Sequence, residues 1–234
     1  MAILQKAPIR VLLVCVSLLH ARAEDLQYLP EFDANLKVNS LLRLTFEAKG
    51  DREAGEQEQF QIGPTVQLYL KPLIRLKDVT AFDLNDAKSR FLVLEAGYRD
   101  VTAPNAAPEN RMILAVTSHF PLRAGFLISD RNRADLDWQK GAFTWRYRNR
   151  FQLERAVSVV SYHLIPYAAV EPYYVSQYSK WSTTALYAGS LFPVGKHVQF
   201  DSYFEHENNT GGKRPNKQDK EIGLALHLYF SRAL

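Results

Sequence analysis

Polar and apolar residues alternate one by one along most of the chain, and the three-to-four spacing of an amphipathic helix is scarce beyond residue 23. In the clearest stretch Phe143, Trp145, Tyr147, Phe151 and Leu153 fall on one face of an extended strand. Thr144, Arg146, Arg148, Arg150, Gln152 and Glu154 fall on the other. The same split separates Leu42, Leu44, Phe46 and Ala48 from Arg43, Thr45, Glu47 and Lys49. It also separates Val198, Phe200 and Phe204 from Gln199, Asp201, Tyr203 and Glu205. Further segments with strand character are 31–38, 60–71, 90–99, 111–120, 123–130, 162–174, 183–192 and 221–230. Most have roughly the 9 to 11 residues that cross a bilayer as a tilted strand.

Short turns such as Pro121-Leu122 and Pro193-Val194-Gly195-Lys196 alternate with longer polar loops at 51–59, 101–110 and 208–220. One short-looped side and one long-looped side is the asymmetry of an outer-membrane barrel. Single-chain bacterial barrels have even strand numbers, so the segment 72–89, with its Leu-Ile-Arg-Leu-Lys run, is read as one more strand or a bend. The expectation is an all-β, antiparallel transmembrane barrel of roughly 10 to 12 strands, with 12 favoured.

The first 23 residues stand apart. Lys6 and Arg10 give a positive start, Val11 to Leu19 an uncharged and mostly apolar middle, and Ala21-Arg22-Ala23 a small-x-small cleavage site. They read as a cleaved secretory signal (1–23) followed by one domain (24–234). Removing Lys6, Arg10 and Arg22 leaves 26 basic residues against 25 acidic ones, so the mature chain is nearly neutral and gives no support to nucleic-acid binding. The single cysteine, Cys15, leaves with the signal, so no disulfide framework is available. The longest uncharged mature stretch, 156–170, is too short for a membrane helix and contains His163 and Pro166.

The last strand alternates strictly: Ile222, Leu224, Leu226, Leu228 and Phe230 against Gly223, Ala225, His227 and Tyr229. Gly223, Leu226, Leu228 and Phe230 resemble the C-terminal signal read by the barrel-assembly machinery, which with outer-membrane lipid is an expected partner; oligomeric state is left open. The mature chain as a whole resembles an uncharacterised family of Gram-negative outer-membrane barrels, a domain of unknown function. The residues that carry this are Ser129-Asp130-Arg131-Asn132-Arg133, Trp145-Arg146-Tyr147-Arg148-Asn149-Arg150, Leu186-Tyr187-Ala188-Gly189 and Glu205-His206-Glu207-Asn208-Asn209-Thr210. The resemblance implies place and fold, and no catalytic residues.

The inward face of such a barrel would collect Arg146, Arg148 and Arg150, joined by Arg43 and Arg99, against Glu47, Glu95, Glu154, Glu171, Asp201 and Glu205. Fixed charges of this kind either line a selective pore or pair up and plug a small lumen, and a barrel of this size favours the plug. The expected function is an integral outer-membrane protein, structural or a small-solute pore, with no reaction, cofactor or metal assigned. Two alternatives are a lipid-modifying hydrolase centred on His206 and a soluble periplasmic β-sandwich binding module. The first lacks a serine where the motif needs one, since Glu207 and Asn208 stand there. Asp135 and Asp137 are read as acids of a solvated loop, with calcium binding the alternative.

Overall fold

The computed structural model describes residues 26–51, 58–72, 83–160, 162–211 and 217–231. The expected signal at 1–23 lies outside them. Twelve strands follow in order: β1 (Leu26–Lys37), β2 (Leu42–Asp51), β3 (Gln59–Pro72), β4 (Arg90–Thr102), β5 (Glu109–Pro121), β6 (Phe126–Gln139), β7 (Ala142–Arg155), β8 (Val157–Val159), β9 (Tyr162–Val175), β10 (Lys180–Val194), β11 (Val198–Asn209) and β12 (Lys217–Ser231). All but β8 pair with a neighbour on each side and close into a β-barrel. The short β8 pairs only with β9, forming a small hairpin outside the ring.

The barrel is therefore closed by eleven strands, against the favoured even count. Ten of its eleven seams are antiparallel, so the first and last strands run in the same direction. β1 meets β12 in a parallel ladder, with Asp33 opposite His227 and Asn35 opposite Tyr229. Of the segment 72–89, residues 73–82 fall outside the described residues. Asp86–Ser89 form a 3-10 turn, not a strand. The longer loops 52–58, 103–108 and 210–216 share the end where β1 begins. The opposite end, where β12 finishes, has the short turns 122–125 and 195–197. It also carries the longest connection, between β3 and β4, so the loop asymmetry is only partial.

Alternation sets which side of the wall each residue occupies. Phe46, Leu68, Leu114, Phe151, Leu186 and Leu224 lie exposed on the outside. Arg99, Arg111, Arg133, Asp135, Glu171 and Glu221 are buried within the ring. The polarity of a soluble protein is thus inverted. Apolar packing inside is confined mainly to β9 and β10, where Ile165, Tyr167, Tyr173, Ala185, Tyr187 and Leu191 form one cluster. Outer aromatics form clusters at the two ends, while Phe32, Phe46, Phe151 and Phe204 lie along the wall between them. Trp145 stacks on Tyr174, with Trp181 edge-on beside them, at the end where β1 begins. At the other end Phe91 meets Phe120, and His197 stacks on Phe230.

Among the positions that require glycine, two illustrate the reasons. β6 and β7 are joined by Lys140 and Gly141 alone, both with positive φ (51° and 79°), the geometry of a two-residue hairpin turn that glycine enters without strain. On β12, Gly223 lies directly beneath the ring of Tyr203 from β11, and any side chain there would collide with that ring.

Candidate functional site: the charged lumen

The lumen is organised by β2 to β7, whose inward positions carry arginine and carboxylate side by side. Arg99 donates through two guanidinium nitrogens to Glu47 (3.0 and 3.2 Å) and caps the carbonyls of Pro64 and Tyr98. Arg111 is clamped by Asp137 and Glu109, both at 2.6 Å. Arg133 donates to Asp135 at 2.5 Å. Arg148 makes a two-point contact with Glu171 (3.0 and 3.1 Å), donates to the Tyr173 hydroxyl at 2.8 Å, and lies 4.2 Å over the Tyr173 ring. Arg146 stands within ion-pair distance of Asp137 (3.5 Å) and Asp135 (3.7 Å). Two-point arginine–carboxylate contacts fix direction as well as charge, which makes this wall rigid.

Several expected partners are placed differently. Arg150 packs 4.1 Å over the Tyr187 ring, and neither it nor Arg131 has an ion-pair partner among the described residues. Glu154 pairs with Lys88, at 2.8 Å, and accepts from Gln152; it does not reach the arginine ladder. Among the described residues Asp201 accepts only the Tyr167 hydroxyl, at 3.0 Å to each oxygen. Glu205 is buried on the inner face of β11, and Glu95 accepts from Gln67. Asp135 and Asp137 are not loop acids: β6 runs on to Gln139, and both are buried in the wall as principal partners of the arginines. Their alternation with Arg131 and Arg133 resembled a solvated loop only because the charges face a lumen.

The lumen narrows at this arginine belt. A vestibule of about 530 Å³ opens where β1 begins, bordered by Arg111, Asp137 and Arg146. A pocket of about 120 Å³ lies within the belt, between Arg148, Arg150, Glu171 and Tyr203. Beyond it is a chamber of about 300 Å³, with Arg131 and Arg150 on one wall and Glu31, Asp33, Asp201 and His227 on another. Segment 83–89 closes that chamber from the other end. Lys88 inserts between Asp83 and Glu154, at 2.8 Å from each. Asp86 binds Arg43 and, at 2.6 Å, Lys37, while Asn85 accepts from Arg43 at 2.7 Å. Gln199 of β11 donates to Asp83 at 3.3 Å. The segment is thus tied to β1, β2, β7 and β11 together. Burial disfavours the charged Lys88 ammonium, yet Asp83 and Glu154 outweigh that and hold its pKa above the usual lysine range.

Sequence spacing gave no sign of one grouping. Glu31, Asp33 and His227 bring ligand-type atoms within 4.8 Å of one another in the chamber, across the β1–β12 seam. No local motif could reveal it, because the seam joins the two ends of the chain. His206 lies on the outer face of β11, opposite Leu186 and Lys220. His119 turns inward to the Arg90 carbonyl, away from its neighbour Ser118. A serine–histidine hydrogen bond occurs elsewhere, between Ser158 and His163 at 3.0 Å on the β8–β9 hairpin. The C-terminal residues Leu226, Leu228 and Phe230 lie on the outer face of β12, and Gly223 on the inner. Neither family models nor curated proteins include a match to this chain.

Proposed function

We propose that the chain is an integral outer-membrane barrel, exported through residues 1–23, whose lumen is closed by its own charge network and by segment 83–89. Its role on this reading is structural and neither conductive nor catalytic. The observation that carries it is the inverted wall, with leucine and phenylalanine outside and arginine, aspartate and glutamate inside. In water such an exterior would be an aggregating surface far larger than the apolar patches soluble monomers show. In hydrocarbon the same exterior is matched to its solvent, and a closed barrel leaves no unpaired ladder edge. The aromatic groups at both ends fit the interfacial girdles of membrane barrels, and the resemblance to an outer-membrane family points the same way.

Closure is favoured over a small-solute pore by the belt of paired arginines and by the four-strand anchoring of segment 83–89. The test is the mature chain refolded in detergent and reconstituted into planar bilayers. It should migrate faster on gels before boiling than after, insert stably, and show near-zero conductance. In cells it should begin at Glu24 and fractionate with the outer membrane. The closed ring of eleven strands rules out the two-sheet β-sandwich, so a soluble periplasmic pool without heat-modifiable migration would count against the membrane location alone. A steady channel would favour the pore.

A further inference from the structure

We infer that Glu31, Asp33 and His227 form a binding site for a borderline divalent transition-metal ion, zinc being the representative, which would staple β1 to β12 from inside the lumen. The inference requires only the closed barrel and holds whatever surrounds it. Asp33 and His227 are register partners in the parallel seam, and the His227 Nδ1 to Asp33 Oδ2 distance is 2.9 Å. Glu31 is two residues before Asp33 on the same face of β1. One ligand atom from each of the three lies within 4.8 Å of the others, so a single ion can reach all of them.

Three further features point to a cation there. The Asp33 Oδ1 atom is sealed from solvent and accepts no hydrogen bond, although its side chain is only 13% exposed. A buried carboxylate oxygen left without a donor is costly, and a cation would satisfy it. Glu31 makes no ion pair among the described residues, although Lys49 stands opposite it on β2, and Asp201 in the same chamber accepts only from the Tyr167 hydroxyl among those residues. Even counting Lys49, the three carboxylates Glu31, Asp33 and Asp201 outnumber the cations at the seam, while Arg131 and Arg150, which make no ion pair among the described residues, lie on β6 and β7 across the chamber. The chamber of about 300 Å³ leaves room for an ion with its remaining water ligands.

The donor set selects the metal class. One imidazole with two carboxylates suits zinc and its neighbours, whereas calcium and magnesium prefer all-oxygen shells. The site also falls on a parallel ladder, slightly weaker per residue than the antiparallel seams around it. An ion bridging the two strands would reinforce closure at that point.

The test is titration of the refolded, full mature chain with zinc chloride in detergent, followed by calorimetry and thermal melting. Calcium and magnesium chlorides serve as controls, and cobalt absorption reports the ligand field. One zinc per chain, a raised melting temperature and a cobalt spectrum with nitrogen ligation are expected. Glu31→Gln, which leaves the Asp33–His227 pair intact, should weaken zinc binding at least about 10-fold. His227→Ala should weaken it beyond the roughly 100-fold upper range of an outer-shell loss. His206→Ala, on the outer face, should leave binding unchanged. Heat-modifiable migration checks that each variant is folded; if His227→Ala does not fold, Glu31→Gln decides. Absence of zinc binding by the wild type, undiminished binding in the folded variants, loss in His206→Ala, or equal binding of calcium would each overturn the inference.

Discussion

The β5–β7 wall and the β1–β12 seam face each other across one lumen and handle charge in opposite ways. On the wall, arginine and carboxylate alternate on adjacent strands, so Arg111, Arg133 and Arg148 each find an acid at hydrogen-bond distance. Around the seam His227 pairs with Asp33, the Tyr167 hydroxyl donates to Asp201, and Lys49 stands opposite Glu31 without an ion pair to it. On the wall Arg111, Arg133 and Arg148 are each held by an acid, with Glu171 of β9 completing the set, and this paired network narrows the lumen. The seam is left with more carboxylates than cations, and that excess is what suits it to a bound metal ion. Two linings in one barrel can thus differ in purpose while sharing one alternating pattern.

The sharpest way to break this contrast is to remove a matched charge from the wall. Arg148→Ala leaves Glu171 with only the hydroxyls of Tyr173 and Tyr187 and should destabilise the barrel by about 3 to 5 kcal/mol, read as unfolding in urea from lipid vesicles. Arg148→Ala combined with Glu171→Gln should recover part of that loss. If the single replacement costs less than about 1 kcal/mol, the wall is solvated and the closed lumen fails. Next is the outer face of the same strand. Phe151→Arg places a cation among the exposed apolar residues and should cost about 2 to 4 kcal/mol near a bilayer midplane, measured in the same assay. Tolerance there equal to that of an exposed loop position would argue against a lipid-facing exterior.

The smallest effect concerns the segment that closes the chamber. Burial raises the Asp86 carboxyl, but Arg43 and Lys37 outweigh it and hold the pKa below its ordinary value. A depressed carboxylate contributes its full stabilisation above the unfolded value near 3.9 and loses it as pH falls through the lowered one. Asp86→Asn should change global stability by only about 1 kcal/mol, because asparagine keeps an acceptor for Arg43, Asn85 still accepts from Arg43, and Lys37 is 40% exposed. Brief conductance events should accompany it, and wild-type protein should show the same events only below about pH 4. Identical silent traces for both proteins across that range would show that segment 83–89 is not what seals this end.

Much of this architecture is legible from alternation alone. Each of the eleven closing strands overlaps one of the eleven segments with strand character, and the inward side of β7 follows directly from Arg146, Arg148, Arg150, Gln152 and Glu154. The rest depends on where charge is placed in space. The stretch from Arg131 to Asp137 reads as a solvated loop until a lumen is there to pair it, so the candidate segment ends at residue 130 and the strand nine residues later. The odd strand count and the parallel seam cannot be read from any window, because Asp33 and His227 meet only when the barrel closes. Gln199 to Asp83 and Lys88 to Glu154 are likewise contacts between distant stretches, which no periodicity records.

The most direct test uses the absence of cysteine after residue 23. Single cysteines at Phe46, Phe151, Thr45 and Gln152, spin-labelled in lipid vesicles, report access to oxygen dissolved in hydrocarbon and to a water-soluble nickel chelate. The account predicts oxygen access at 46 and 151, and protection from both reagents at 45 and 152. Nickel access at 46 and 151 would contradict the membrane barrel, and nickel access at 45 and 152 would contradict the closed lumen.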